Sequence, residues 1–440
     1  MDLPSHREGV VYLQPRPMAL SSGKLLLLPL LPRRKPPISL PCELWTQIFE
    51  HVLTGYPREK EDTSSTSLKI GLLLVCKAFK EIASPPFYSY IRVKRISSLQ
   101  DLTGLLTEAD RKWDSIRRIP FSAPGRWIRA MDLSNLLLDN EDEACQIDPI
   151  LTRLFPLVPC LESLTLNSTI VLSRLAWESM ANRDGVGNLR SLSGVKIVHP
   201  SPFPPRTEGS LLDVLRASVQ LEELQIVGSG IEAVELAAAT SDTDFQSCTM
   251  SLDLPRLRRL SLISMHSSAV MLALFNSSLP SLLHLTVTPY DDISIPTSLV
   301  PKFIETHGPK LASLHLYANK SWPTMLFPSP TTLLSTCPRL RHLSLENPLP
   351  ALTICSIYPR YPLRILSIPR PNSEFLRVLE TLLPKLPDLR IIRTRDSRWL
   401  RSGITGRARE AGVQGEMREW RRRLSRRGIQ LVDADWKPGD

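Results

Sequence analysis

No apolar run in this sequence approaches the roughly 18 residues needed to cross a membrane, so a bilayer-spanning chain is not expected. The nearest candidate, Leu25 to Leu28 followed by Pro29, Leu30 and Leu31, is broken by proline and gives way to Arg33, Arg34 and Lys35. A secretory leader is the lesser alternative there, because the start has no basic n-region and no clear small-residue cleavage site follows. Cysteine is sparse: Cys42, Cys76, Cys145, Cys160, Cys248, Cys337 and Cys355 make seven, with no Cys-x-x-Cys pair. That pattern argues against a disulfide frame or a zinc site, and for free thiols in a reducing compartment, cytoplasmic or nuclear. Also missing are the phosphate-cradling Walker loop, Gly-x-Ser-x-Gly, His-Glu-x-x-His and the dinucleotide fingerprint. With none of the spacings that assemble a nucleophile, a metal or a cofactor, no catalytic residue, cofactor or metal is expected, and the chain does not read as an enzyme.

What is present is leucine. It occurs 74 times, against 19 glycines and 39 prolines, and proline exceeds its usual share of roughly 5%. Many leucines with regularly placed prolines imply short elements that are repeatedly started and stopped. The 22% charged and 42% hydrophobic fractions fit a folded soluble chain, and 440 residues exceed one ordinary core. Several units or one repetitive array are therefore expected. The net charge of +10 is local: residues 393–427 hold 12 Arg against Asp396, Glu410, Glu416 and Glu419, a balance of +8 (12 − 4).

The repeat is apolar-x-x-apolar-x-apolar. It reads Ile128/Met131/Leu133, Leu161/Leu164/Leu166, Leu192/Val195/Ile197, Leu221/Leu224/Ile226 and Leu257/Leu260/Leu262. It continues as Leu282/Leu285/Val287, Leu311/Leu314/Leu316, Leu340/Leu343/Leu345 and Leu363/Leu366/Ile368, with a degraded copy at Leu389/Ile392. First positions are 23 to 36 residues apart, and most spacings match leucine-rich repeats of about 20–29 residues. Proline stands two residues ahead of the first position at 159, 255, 280, 309, 338 and 387, where it stops a preceding helix and lets an extended segment begin. Helical spans are expected between the strands, at 173–183, 210–219, 268–276, 297–306 and 373–383, with Ser or Thr starts as N-caps. The expected fold class is α/β: a helical N-terminal unit followed by an irregular leucine-rich-repeat solenoid over 87–395, with a parallel sheet on the concave face and helices outside. A generic leucine-rich α/β domain is the alternative.

Residues 1–37 read as a disordered, Pro-rich lead. Beyond them, apolar residues at 40, 44, 45, 48, 49 and 52 follow helical spacing, with Pro41 suited to a first turn. A polar stretch from Gly55 to Ser67 precedes a second helix over 68–83, which Pro85 and Pro86 should stop. A strand is expected at 87–93. The motifs Leu40-Pro41-x-Glu43-Leu44-Trp45-x-x-Ile48-Phe49, Leu74-Val75-Cys76-Lys77-x-Phe79-Lys80-x-Ile82-Ala83 and Pro86-Phe87-Tyr88 together resemble an F-box at 38–86. The chain is similar in architecture to fungal F-box proteins with irregular leucine-rich repeats. That resemblance implies a substrate-recognition subunit of an SCF-type ubiquitin ligase, whose F-box docks a Skp-type adaptor and through it cullin. It assigns adaptor contact to Leu40, Pro41, Ile48, Phe49, Val75, Cys76 and Lys77. The polar insert is longer than usual, but lengthening a loop costs little, under about 1 kcal/mol per doubling. The plainer reading is a cap over the open end of the solenoid, or a protein-binding scaffold with no ligase role.

In such strands the positions between the apolar ones face the concave surface. They form a polar, nearly neutral set, from which Arg259, His284, His315, Tyr317, His342 and Glu346 are the candidate substrate contacts. His284 and His342 share a column two repeats apart, too far to chelate one ion together, so the histidines read as solvated recognition residues rather than a metal site. Residues 396–440 should form a basic amphipathic helix at about 406–427, with Met417, Trp420 and Leu424 on one face, then Gly428 and a last short strand. This tail reads as a solenoid cap, with nucleic-acid binding the third and least favoured function. Asp139 to Glu143 reads as an exposed acidic loop.

Overall fold

The computed structural model describes residues 40–53, 70–111, 124–138, 141–197, 206–228, 251–265, 268–289, 298–318, 329–354, 360–399 and 408–439. The Pro-rich lead and the polar stretch 55–67 lie outside these residues.

The chain is α/β. Twelve strands form one open, all-parallel sheet whose spatial order equals the chain order. They are β1 (Tyr90–Arg92), β2 (Ala130–Asp132), β3 (Ser163–Thr165), β4 (Ser191–Lys196), β5 (Glu223–Val227) and β6 (Arg259–Ile263). They continue as β7 (His284–Val287), β8 (Ser313–Leu316), β9 (His342–Ser344), β10 (Ile365–Ile368), β11 (Ile391–Thr394) and β12 (Gln430–Val432). Every crossover advances by one strand, which gives the sheet a solenoid-like progression. The helices are α1 (Cys42–Leu53), α2 (Lys77–Ser89), α3 (Ile96–Arg111), α4 (Glu141–Leu154), α5 (Arg174–Ala181) and α6 (Arg206–Ala217). They end with α7 (Ala269–Phe275), α8 (Val300–His307), α9 (Leu333–Thr336), α10 (Ser373–Leu382) and α11 (Ala408–Ser425). Among the described residues, no helix is long and apolar enough to cross a membrane.

The leucine spacing sets the register. Ile91, Met131, Leu164, Leu192, Leu224, Leu260, Leu285, Leu314, Leu343, Leu366, Ile392 and Leu431 pair strand to strand in one continuous row. All but Ile91 are buried, and one apolar core runs from Val93 to Leu431. The prolines act at a tighter place than a helix stop. Leu161, Leu257, Leu282, Leu311, Leu340 and Leu389 each donate a backbone N–H to the carbonyl three residues earlier, at Val158, Leu254, Leu279, Gly308, Cys337 and Leu386. Each of the six prolines stands second in that four-residue turn, where its fixed φ holds the corner.

Three sequence expectations need correction. The third repeat is one step out of phase: Leu192 lies opposite Leu164 and Leu224, so Leu189 is its first position. The misreading has a local cause, an irregularity between Leu192 and Val195 with Gly194 at φ +74°. A Cβ on Gly194 would fall 2.0 Å from the Leu166 carbonyl oxygen, so the extra residue here has to be glycine. Second, α2 continues through Pro85 and Pro86 to Ser89, and the strand is confined to Tyr90–Arg92. Proline's φ suits a helix, and the Ser84 hydroxyl donates to the Lys80 carbonyl in the affected turn. Third, residues 141–143 open α4 rather than lying in a loop; residues 139 and 140 lie outside the described residues.

Side chains bridge neighbouring turns by donating to backbone carbonyls. Buried Arg183 donates to the carbonyls of Val158 and Leu161, both at 2.9 Å. Lys385 reaches the Ile354 carbonyl at 3.0 Å, and Asn167 the Leu136 carbonyl at 3.1 Å. At the C-terminal end α11 buries Met417, Trp420 and Leu424 against the last turns, and Gly428, at φ +71°, lets the chain enter β12.

Leu343, wholly buried in the central row, should cost about 2–5 kcal/mol of stability when changed to Ala. Leu283→Ala, at a position 42% exposed two residues from the same row, should change it by less than about 1 kcal/mol. Urea denaturation of the two variants checks the contrast.

Candidate functional site

Two surfaces combine exposure with a defined chemistry. The first belongs to the N-terminal helices. In α1, Trp45, Phe49 and Leu53 recur every four residues and turn inward. There they meet Leu72, Leu73, Phe79, Ile82, Ala83 and Phe87 in a small core separate from the main one. Trp45, Phe49 and Phe79 pack with ring centroids 4.8 to 5.7 Å apart, Trp45 stacked on Phe49 and Phe79 edge-on to Phe49. One residue earlier in the same helical period, Leu40, Leu44, Ile48 and Val52 point outward. With Ile70, Leu74 and Val75 they are between 40% and 79% exposed. A helix with two adjacent apolar rows, only one of them covered by its own chain, leaves the other available to a partner.

The second expected helix is in fact two. Residues 70–74 are helical, the chain breaks at Val75, and Cys76 caps α2 by accepting the Phe79 N–H on its sulfur at 3.4 Å. Val75 and Cys76, which the resemblance assigns to adaptor contact, are exposed at that break. Pro41 precedes α1 rather than opening it, its carbonyl accepting N–H bonds from Leu44 and Trp45. Of the residues assigned to adaptor contact, Leu40, Pro41, Ile48, Val75, Cys76 and Lys77 are exposed. Phe49 is 2% exposed and belongs to the internal core. Leu44, Val52, Ile70 and Leu74 join the exposed set. For Leu44 and Val52 the four-residue spacing of 40, 44, 48 and 52 was the signal in the sequence.

The second surface is the sheet face opposite the core. Of its three histidines His284 is exposed, while His315 and His342 are half-buried and paired. The His315 Nε2 and His342 Nδ1 atoms share a hydrogen bond of 3.0 Å, and His342 Nε2 pairs with Ser367 Oγ at 3.1 Å. The reason is a diagonal: His315 and His342 sit on adjacent strands in neighbouring columns, so long rings reach across. Burial pushes the His342 imidazole down to about 4, and His315, Arg393, His284 and Arg395 act in the same direction. His315 is lowered by burial, then by Arg395, His284 and Arg393. Among the described residues no group of three or more His, Cys, Asp or Glu could hold a metal ion.

The other candidates are spread along the face. Arg259 pairs with Glu223 at 3.1 Å, and both side chains are exposed. Tyr317 is 44% exposed and Glu346 is held by Arg395 at 2.7 Å. Arg393 and Arg395 were missed because β11 carries the degraded copy of the repeat, yet they occupy the positions two apart that alternation predicts. Arg395 also donates to the Leu345 carbonyl. Arg393 donates to the Ala434 carbonyl at 2.7 Å, with its guanidinium 4.5 Å from the Trp436 ring centroid. At the opposite end Arg92 and Tyr90 both bond Asp132, at 2.8 and 3.0 Å. The face is therefore internally paired. Tyr317 and Trp436 are large hydrophobic side chains that stay exposed on or beside it. No protein-family model matches the chain, and no curated protein is similar to it.

A histidine kept neutral by the fold and protonated in the unfolded chain favours folding fully above about pH 6.5, and that contribution fades as pH falls towards 4. Buried His307, also lowered to about 4, acts the same way. His342→Gln should therefore flatten the loss of stability between pH 7 and 5 by about 1–2 kcal/mol. His307 should account for a further share, and denaturation midpoints at the two pH values measure both.

Proposed function

We propose that this chain is the substrate-recognition subunit of an SCF-type ubiquitin ligase. In this reading an F-box-like helical unit docks a Skp-type adaptor, and through it cullin. An irregular leucine-rich-repeat solenoid binds the protein to be modified. The chain itself is non-catalytic and takes no cofactor. One observation carries the proposal: the row Leu40, Leu44, Ile48 and Val52 stays outside the unit's own core while Trp45, Phe49 and Leu53 fill it. Apolar side chains at four-residue spacing on a short helical unit suit a helical partner laid into them. The break at Val75–Cys76 adds Leu74 and Val75 to the exposed apolar set. The sheet that follows offers twelve stacked strands and a polar face to a second protein, as repeat arrays do.

Affinity capture of a purified Skp adaptor tests the proposal. Leu44→Asp with Ile48→Asp should reduce capture at least tenfold, about the effect of losing a buried anchor, and circular dichroism should be unchanged because both sites are exposed. Leu40→Ala with Pro41→Ala should weaken it less. Phe49→Ala should instead destabilise the helical unit. Capture of the Leu44/Ile48 variant at the wild-type level, or no capture of the wild type, would replace the ligase reading with that of a plain protein-binding scaffold.

A further inference from the structure

One residue ahead of each strand lies a row at the sheet's N-terminal edge. Backbone bonds define it: Glu162 N donates to Arg129 O, Arg190 N to Glu162 O, Glu222 N to Arg190 O and Arg258 N to Glu222 O. The next members are Leu283 and Ala312. Then Arg341 N donates to Ala312 O, Arg364 N to Arg341 O and Arg390 N to Arg364 O, at 2.8 to 2.9 Å.

In the first half of this row the signs alternate. Glu162 stands 4.0 Å from Arg129 and 3.7 Å from Arg190, and Glu222 lies between Arg190 and Arg258. In the last half the alternation is gone. Arg341, Arg364 and Arg390 follow on consecutive strands, about 4.8 Å apart. All three are exposed, and none has a carboxylate partner among the described residues. The row is extended by the tail. Gln430 N donates to Arg390 O at 2.8 Å; the row position ahead of β12 is buried Ile429, and exposed Arg426 and Arg427 stand in the turn just before it, after the end of α11. Asp388 is the acidic residue in this stretch. Like charges at strand spacing repel. The same position is neutralised by glutamate elsewhere in this chain.

We propose that this arginine edge, Arg341, Arg364, Arg390, Arg426 and Arg427, is a docking surface for a carboxylate-rich protein segment laid across β9 to β12. Guanidinium groups match carboxylates in geometry as well as sign. The edge carries no exposed aromatic ring among its described residues on which bases would stack, as single-stranded nucleic acid requires. The basic charge that marks the C-terminal segment in the sequence thus joins arginines from three earlier turns. The inference extends the substrate-binding half of the proposed function and is independent of the adaptor-docking half.

Fluorescence anisotropy of the full chain with a labelled oligo-glutamate peptide tests it. An oligo-glutamine peptide of equal length, and single- and double-stranded DNA of equal charge, serve as comparisons. Oligo-glutamate should bind with an affinity that falls as salt rises, and oligo-glutamine should not bind. Arg341→Glu, Arg364→Glu and Arg390→Glu together should weaken binding about tenfold or more, given three exposed ion pairs turned repulsive. The matched triple Arg129→Glu, Arg190→Glu and Arg258→Glu changes the net charge equally in the same structural row and should leave affinity within about twofold. Equal loss in both triples would reduce the effect to net charge and overturn the inference, as would failure of the wild type to bind oligo-glutamate. Tighter binding of DNA, lost in the first triple, would assign the edge to polynucleotides instead. Adaptor capture by the first triple, measured in parallel, should match the wild type, which separates failure here from failure of the ligase reading.

Discussion

The ladder of backbone hydrogen bonds between successive parallel strands fixes where every other group in this protein lies. Each strand is only three to six residues long, too short to hold a sheet alone, and its leucines are covered only because the next turn stacks on them. Bonds such as Leu133 N to Thr165 O and Leu166 N to Ser193 O lock adjacent turns in register. With that register set, the apolar rows close into one core. The intervening side chains line up in columns on the opposite face, and the residue ahead of each strand falls into the row at the edge.

An array of this kind has two raw ends. At the C-terminal end, α11 lays Met417, Trp420 and Leu424 over the last turns, and β12 completes the sheet. At the N-terminal end, α2 runs without a break into β1, and Ser89 accepts the Arg129 N–H at 2.9 Å. The unit formed by α1 and α2 has its own core and shows its surplus apolar row to the outside. A simple cap would turn that row towards the array. This difference favours a docking role for the unit.

Charge follows the same geometry. On the open face nearly every charged group has a partner, from Arg92 with Asp132 to Arg395 with Glu346. Neutral His315 and His342 bridge two turns within this face. Along the strand edge the pairing holds for the first turns and lapses for the last ones. Among the described residues of that edge, the uncompensated charge therefore lies at the C-terminal end of the sheet.

Much of this was legible in the residues. Period and alternation determined the α/β class, the parallel strands, the buried leucine rows and the apolar face of the last helix, because each depends on spacings within one segment. What the spacing could not show was what each turn meets on its neighbours. The extra residue at Gly194 hid the phase of one repeat, whose first position is Leu189 and not Leu192, since a positive φ leaves no mark beyond the glycine itself. Val75 and Cys76 stand exposed at a break between two helices where one was expected, because Cys76 caps the second. Phe49 and Ile48 are equally apolar neighbours in sequence, yet only the position of α2 buried one and exposed the other. His315 and His342 became a bonded pair, and Arg341, Arg364 and Arg390 one surface, because strand pairing brings together residues more than twenty positions apart. The sequence by itself determined which residues turn inward. The tertiary structure decided which of the outward ones meet, because contacts across the stack depend on the register between turns and not on the order within them.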